Sequence, residues 1–173
     1  QETTLYGKDL TGEKQLPLLL HELCKIEGIE WIRLLYCYPE EITDELIKVI
    51  KTEEKVCNYI DMPIQHSENR ILQRMGRRTS REDLVAVIKK LRKEIPDITI
   101  RTTLITGFPG ESQEDHEGLM NFVEECQFDR LGVFTYSPEE DTLAATFEDQ
   151  IDEEVKEERR DELMLSLIHI SEP

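Results

Sequence analysis

The stretch Ile98-Thr-Ile-Arg-Thr-Thr-Leu-Ile-Thr-Gly-Phe-Pro-Gly-Glu-Ser112 decides the fold. Its first half, from Ile98 to Ile105, is rich in β-branched residues and predicts a strand. The segment Gly107-Phe-Pro-Gly110 has the composition of a tight turn. Ser112 then predicts the N-cap of a helix, whose buried stripe is Leu119, Phe122 and Val123. The stretch therefore predicts one βα unit.

The same alternation extends outward along the whole chain. Further strands are predicted at residues 31–37, 56–62 and 131–136. Helices are predicted from Pro17 to Gly28, from the Thr43 cap, around residues 71–75, from a Thr79/Glu82 capping box and from about Asp152. This order predicts a parallel sheet with right-handed crossovers. Four units are too few for a closed eight-stranded barrel, so they fit a doubly wound sheet or part of a barrel.

Composition narrows the class of protein. The chain has 21 Lys and Arg against 38 Asp and Glu, a net charge of −17. This balance argues against a nucleic-acid surface and suits a basic protein partner, although acidity for solubility alone is an equally good explanation. Because no apolar run approaches the ~20 residues that a membrane span needs, we expect a cytoplasmic protein without a membrane partner. The four cysteines lack the short spacing of a metal site and are predicted to be reduced thiols.

Unusual residues recur where each predicted strand ends. These segments are Tyr36–Pro39, Asp61–His66, Thr106–Glu111 and Thr135–Glu140. Parallel α/β folds bind ligands beyond the carboxyl ends of their strands, so these segments predict a ligand site.

Individual residues within these segments allow more than one interpretation. Gln65 and His66 fit either a loop cap or a functional role. Gly107 fits either a turn or a close approach of backbone to ligand. Arg101 needs a carboxylate, from the protein or from a ligand, because an unpaired buried guanidinium is costly. The basic stretch from Arg74 to Arg81 fits a solvated surface better than a binding patch.

Four segments together resemble the radical S-adenosylmethionine methylthiotransferases. They are Gln1–Gly7, Tyr59–His66, Ile100–Glu111 and Phe128–Pro138. The resemblance implies a partial TIM-type barrel, the radical SAM core, over residues 1–164 and truncated at both ends. The Gln65-His66 pair is similar to the branch that modifies an aspartate of a small-subunit ribosomal protein, whereas the transfer-RNA branch tends to have Gln-Ser-Gly there.

The resemblance also implies cofactors and site residues. S-adenosylmethionine and [4Fe–4S] clusters are expected in the parent protein, together with an electron donor and a ribosomal protein as substrate. The family's Cys-x3-Cys-x2-Cys motif is not in this sequence, so no metal ligands are assigned and the chain alone is expected to be inactive. Gln65, Arg101, Thr103 and Gly107 are predicted cofactor contacts, with Arg101 meeting the methionine carboxylate. His66 is predicted to face the substrate.

Other readings stay open at this point. One is a transfer-RNA adenosine methylthiotransferase of the same family, and another is a non-catalytic α/β interaction module. A barrel hydrolase lacks support, because no nucleophile–His–acid arrangement is evident. Residues 165–173, Leu-Ser-Leu-Ile-His-Ile-Ser-Glu-Pro, match the translation of a common transposon-type sequencing adapter, and we expect them to be an artefact.

Overall fold

Four parallel strands form one sheet in a computed structural model that describes residues 2–171 and the side chains of residues 2–166. The strands are β1 (Ile32–Leu34), β2 (Val56–Asp61), β3 (Thr99–Thr106) and β4 (Arg130–Thr135). They lie side by side in the order β1-β2-β3-β4, and each neighbouring pair is parallel. The four predicted strands are therefore confirmed, with boundaries that differ by a few residues.

Seven α-helices accompany these strands within the described residues. They are α1 (Lys8–Thr11), α2 (Leu16–Cys24), α3 (Asp44–Thr52), α4 (Asn69–Arg74), α5 (Arg81–Glu94), α6 (Gln113–Cys126) and α7 (Glu153–Ser171). The first turn of α2 contains Pro17, and the Thr43 hydroxyl caps α3, as predicted. Helix α2 ends at Cys24, earlier than the predicted end at Gly28. None of the helices in this part of the chain has the length and apolar content needed to cross a membrane.

The capping box of α5 lies one residue later than predicted. Ser80 and Asp83 form it, instead of Thr79 and Glu82. Thr79 is buried, and its hydroxyl donates a 2.6 Å hydrogen bond to Glu40. The prediction was wrong because the hydroxyl of Thr79 is engaged by Glu40, a residue distant in sequence. The adjacent Ser80 caps the helix instead.

The helices cover one face of the sheet. The larger of two apolar clusters among the described residues joins Leu34, Ile60, Ile100, Leu104 and Val133 of the strands to side chains of α2, α3, α5, α6 and α7. A doubly wound sheet has helices on both faces and a point where strand order reverses. Sequential strand order and one-sided helices are instead the arrangement of a barrel wall. The structure thus selects the partial barrel over the doubly wound sheet.

The opposite face of the sheet carries a different set of side chains. In β3 the residues alternate strictly, and Arg101, Thr103 and Ile105 are half-buried between fully buried neighbours. Register places Asp61 beside Arg101 and Phe134 beside Ile105. We call this the inner face, because it corresponds to the inside of a barrel wall.

Helix α7 packs against β4, β3 and α6. Leu163, on its inward side, has no exposed surface and belongs to the core. The helix runs without a break through residue 165, where the sequence predicts that the adapter-derived segment begins. Residues 172 and 173 of the proposed adapter segment lie outside the described residues, and the origin of the segment stays a prediction.

Candidate functional site

A cleft of about 780 Å³ lies at the carboxyl ends of β3 and β4. Its wall is largely apolar, with Ile105, Phe108, Phe134 and Tyr136 among the lining residues. Clefts of roughly 300–1,000 Å³ with apolar walls and a few polar groups are typical of small-molecule sites. The position is the one that the strand-end residues predict.

Gln65 and Thr103 are the two predicted site residues that line this cleft. Gln65 follows β2 and extends its pairing, since its N–H donates to the Thr103 carbonyl at 2.9 Å and its carbonyl accepts from Ile105 N–H at 2.8 Å. Its φ of 71° is unusual for a residue with a side chain. Such backbone costs on the order of 1–3 kcal/mol and persists only where neighbours impose it. The two bonds to β3 impose it here.

Arg101 lies on the inner face, two residues before Thr103, but outside the cleft lining. Its Nη1 donates to Asp61 Oδ1 at 2.7 Å, and Asp61 Oδ2 also accepts from Tyr36 N–H at 3.1 Å. The Asp61 carboxylate, chiefly through this hydrogen bond, raises the pKa of Arg101 above its usual value. The prediction that Arg101 meets a carboxylate is confirmed, and the protein supplies that carboxylate. About two fifths of the Arg101 side chain (39%) remains exposed, so donors remain for a ligand.

Gly107 has a left-handed φ of 69°, but the space that its missing side chain leaves is occupied. A Cβ at this position would clash with the Lys156 side chain of α7. Gly107 is buried and does not line the cleft. The interpretation that it admits a ligand is therefore corrected: the close approach that requires glycine is that of α7.

His66 is enclosed by the protein. Its side chain has no exposed surface. Its Nδ1 accepts from Glu68 N–H at 3.1 Å, and Nε2 lies 3.1 Å from Glu111 Oε2. A ring with both nitrogens engaged inside the protein presents no surface to a substrate. The structure thus places His66 behind the cleft wall, contrary to the substrate-facing position expected for it.

Further residues complete the cleft. Arg74, the last residue of α4, and Arg77, which follows the helix, line it on one side, and residues 142–144 line it from the loop after β4. Arg74 donates to Asp149 at 2.6 Å and lies 4.6 Å from the Phe147 ring centroid. This part of the basic stretch is therefore not a simple solvated surface. Tyr136, in the strand-end segment Thr135–Glu140 that the sequence predicts for a ligand site, also lines the cleft.

The cysteines are all free thiols, and burial raises the pKa of Cys37 to about 12 and that of Cys126 to about 11. Among the residues whose side chains are described, no three His, Cys, Asp or Glu side chains are grouped so that they could hold a metal ion. The described residues thus do not fit an iron–sulfur cluster. The cleft, by contrast, fits a small organic molecule.

Comparison with known proteins gives a family match. Residues 1–123 match the Radical SAM superfamily. The chain is 65% identical over 164 residues to the ribosomal protein uS12 methylthiotransferase RimO of Lachnoclostridium phytofermentans, covering 95% of this chain and 37% of that protein. It is 59% identical over 172 residues to RimO of Clostridium perfringens, covering 99% of this chain and 39% of that protein. The chain thus spans about two fifths of the length of these curated relatives.

Solved structures give the same architecture. Coproporphyrinogen III oxidase (HemN) from Escherichia coli, a radical SAM enzyme, superposes with a TM-score of 0.71 at 22% identity, covering 90% of this chain and 36% of that chain. At this identity the likeness concerns the fold alone. It supports the partial barrel already evident from strand order and one-sided helices.

Proposed function

The chain belongs to the Radical SAM superfamily, and on that premise we propose that it is the central part of an enzyme that adds a methylthio group to the β-carbon of an aspartate in ribosomal protein uS12. The observation that carries the proposal is the 65% identity over 164 residues to a protein of that name. The transfer-RNA branch and the interaction module are not favoured, because the similar relatives are uS12 methylthiotransferases. The proposal places the parent protein in the cytoplasm, with an electron donor.

The residues of the cleft suit S-adenosylmethionine. Phe108 and Tyr136 offer aromatic surface for an adenine, and the Gln65 amide and the Thr103 hydroxyl offer hydrogen bonds to polar atoms. One molecule of this cofactor would supply the adenosyl group used for hydrogen abstraction, and a second molecule would supply the methyl group that is transferred.

Arg101 is the proposed contact for the methionine carboxylate. Asp61 fixes one edge of its guanidinium, which leaves other N–H groups able to form a charge-assisted bond. Thr103 lies two residues further along the strand, roughly 7 Å away, so one cofactor can reach both side chains. The [4Fe–4S] clusters that the family implies would be held by other segments of the parent protein.

Modification of the ribosome tests the function. The complete protein would be produced in a strain that lacks its own uS12 methylthiotransferase, and uS12 peptides would be analysed by mass spectrometry. We expect a methylthio group on one aspartate, and its strong reduction in Arg101→Ala. Arg160→Ala is the matched control, because Arg160 of α7 pairs only with its neighbour Asp161 among the described residues and does not line the cleft.

The outcomes separate the branches of the family. An unmodified uS12 together with a methylthiolated adenosine in transfer RNA would contradict the proposal and favour the transfer-RNA branch. Equal loss of modification in Arg101→Ala and Arg160→Ala would contradict the role given to Arg101.

A further inference from the structure

A buried carboxylate joins three separate segments behind the cleft. The Glu111 side chain has no exposed surface, and its Oε1 accepts from Arg159 Nη1 of α7 at 2.7 Å and from Gly107 N–H at 3.1 Å. Its Oε2 faces His66 Nε2. The Glu111 backbone carbonyl accepts from the same Arg159 nitrogen at 3.1 Å. Glu111 thus ties α7 to the segments after β2 and β3.

The histidine in this network has a defined tautomer. Because Nδ1 accepts the Glu68 N–H, the ring proton is on Nε2, from which it is donated to Glu111. The residue before His66 is Gln65, whose strained backbone holds its side chain at the cleft. A displacement of Glu111 would therefore reach a cleft residue through one adjacent peptide unit.

A second anchor connects α7 to the opposite wall of the cleft. Lys156, which is buried, donates from Nζ to the carbonyl of the cleft residue Tyr136 at 3.1 Å. Its methylene groups fill the space beside Gly107, and its carbonyl accepts from the Thr106 hydroxyl at 3.3 Å. Two buried cations on one side of α7 therefore each contact a strand-end segment. Because protein interiors are close-packed, a displacement of α7 would be transmitted to these strand-end segments.

We propose that α7 is a positioning element for the cofactor site, in which Arg159 acts through Glu111 and His66 to hold Gln65 in its ligand-facing conformation. This inference rests on the proposed function, because the ligand in question is S-adenosylmethionine. A displacement of α7 would therefore change the affinity of the cleft for S-adenosylmethionine.

Binding to the complete, cluster-loaded protein without reductant tests this proposal. The dissociation constant of S-adenosylmethionine would be measured by equilibrium dialysis for the wild type and for Arg159→Met, which keeps the side-chain length and removes the charge. We expect the dissociation constant to rise about tenfold, within the range of linked sites. Arg160→Met is the matched control, because Arg160 pairs only with its exposed neighbour Asp161 among the described residues, and we expect no change there.

A double-mutant cycle with Gln65→Ala separates positioning from general damage. If Arg159 acts through Gln65, the effect of Arg159→Met on affinity disappears in the Gln65→Ala background. The same tenfold effect in both backgrounds, or no effect in either, would overturn the inference. Should Arg159→Met not fold, Arg159→Lys is used, for which we expect roughly threefold weaker binding, and wild-type affinity there would overturn it as well. Failure of the wild type to bind would instead overturn the proposed function.

Discussion

The outer and inner faces of the sheet are made by the same strands, yet their side chains differ in burial. On β3, Ile100 and Leu104 have no exposed surface and meet the helices, whereas Arg101 and Thr103 between them are half-buried and polar. The outer face buries apolar surface against the helices, and this removal of apolar surface from water drives folding. The inner face retains polar groups that no core would tolerate unpaired. The residues that form the core and those of the proposed ligand site therefore alternate along one strand.

Thiol chemistry should show the largest difference between the two faces. Cys37 belongs to the outer core, and burial raises its pKa to about 12. Cys57, on the face of β2 opposite to the buried Ile60, is half-buried. Because the thiolate is the reactive form, Cys37 should react with iodoacetamide at pH 8 about a thousandfold more slowly in the folded chain than in urea-unfolded chain, and more slowly than the partly exposed Cys57. Mass spectrometry of timed samples measures both rates. Similar rates in the folded chain, with urea-unfolded chain as the control, would contradict the assignment.

Truncation of adjacent β3 residues should separate the faces in stability. Leu104→Ala removes a fully buried side chain and should lower the free energy of unfolding by about 2–5 kcal/mol. Thr103→Ala, next to it on the inner face, should change it by about 0.5 kcal/mol or less. Urea denaturation of the chain, followed by circular dichroism, compares the two. Equal losses would mean that the inner face is also a folding core.

The start of α6, where the inner-face loop meets the outer helix layer, should show the smallest effect. Burial opposes ionisation of Asp115, but hydrogen bonds from Ser112, with a contribution from Arg70, outweigh it and lower the pKa of Asp115. A carboxyl whose pKa is lowered on folding contributes stability above its unfolded pKa of about 3.9, and this contribution is lost as pH falls. Ser112→Ala should therefore cost about 0.5–2 kcal/mol at pH 7 and less at pH 3. A cost independent of pH would contradict this account.

The sequence predicted the strands well because periodic burial is a local property. It could not choose between a barrel wall and a doubly wound sheet, since both have the same βα alternation and differ in strand order and in which face each helix covers. The strand-end rule predicted a site where the structure has a cleft, and Gln65 and Thr103 line this cleft. It failed for His66 and Gly107, because position beyond a strand does not say toward which side a loop residue turns. Their partners, Glu111 and Lys156, are 45 and 49 residues away along the chain.

The inner face as the binding surface for S-adenosylmethionine is the central claim. Equilibrium dialysis of the complete, cluster-loaded protein tests it with three variants: Gln65→Ala and Thr103→Val on the cleft, and Leu104→Met on the outer face as the matched control. We predict that each cleft variant raises the dissociation constant by roughly three- to tenfold, the worth of one hydrogen bond, and that the control leaves it unchanged. Wild-type affinity in both cleft variants, or an equal rise in Leu104→Met, would contradict the claim.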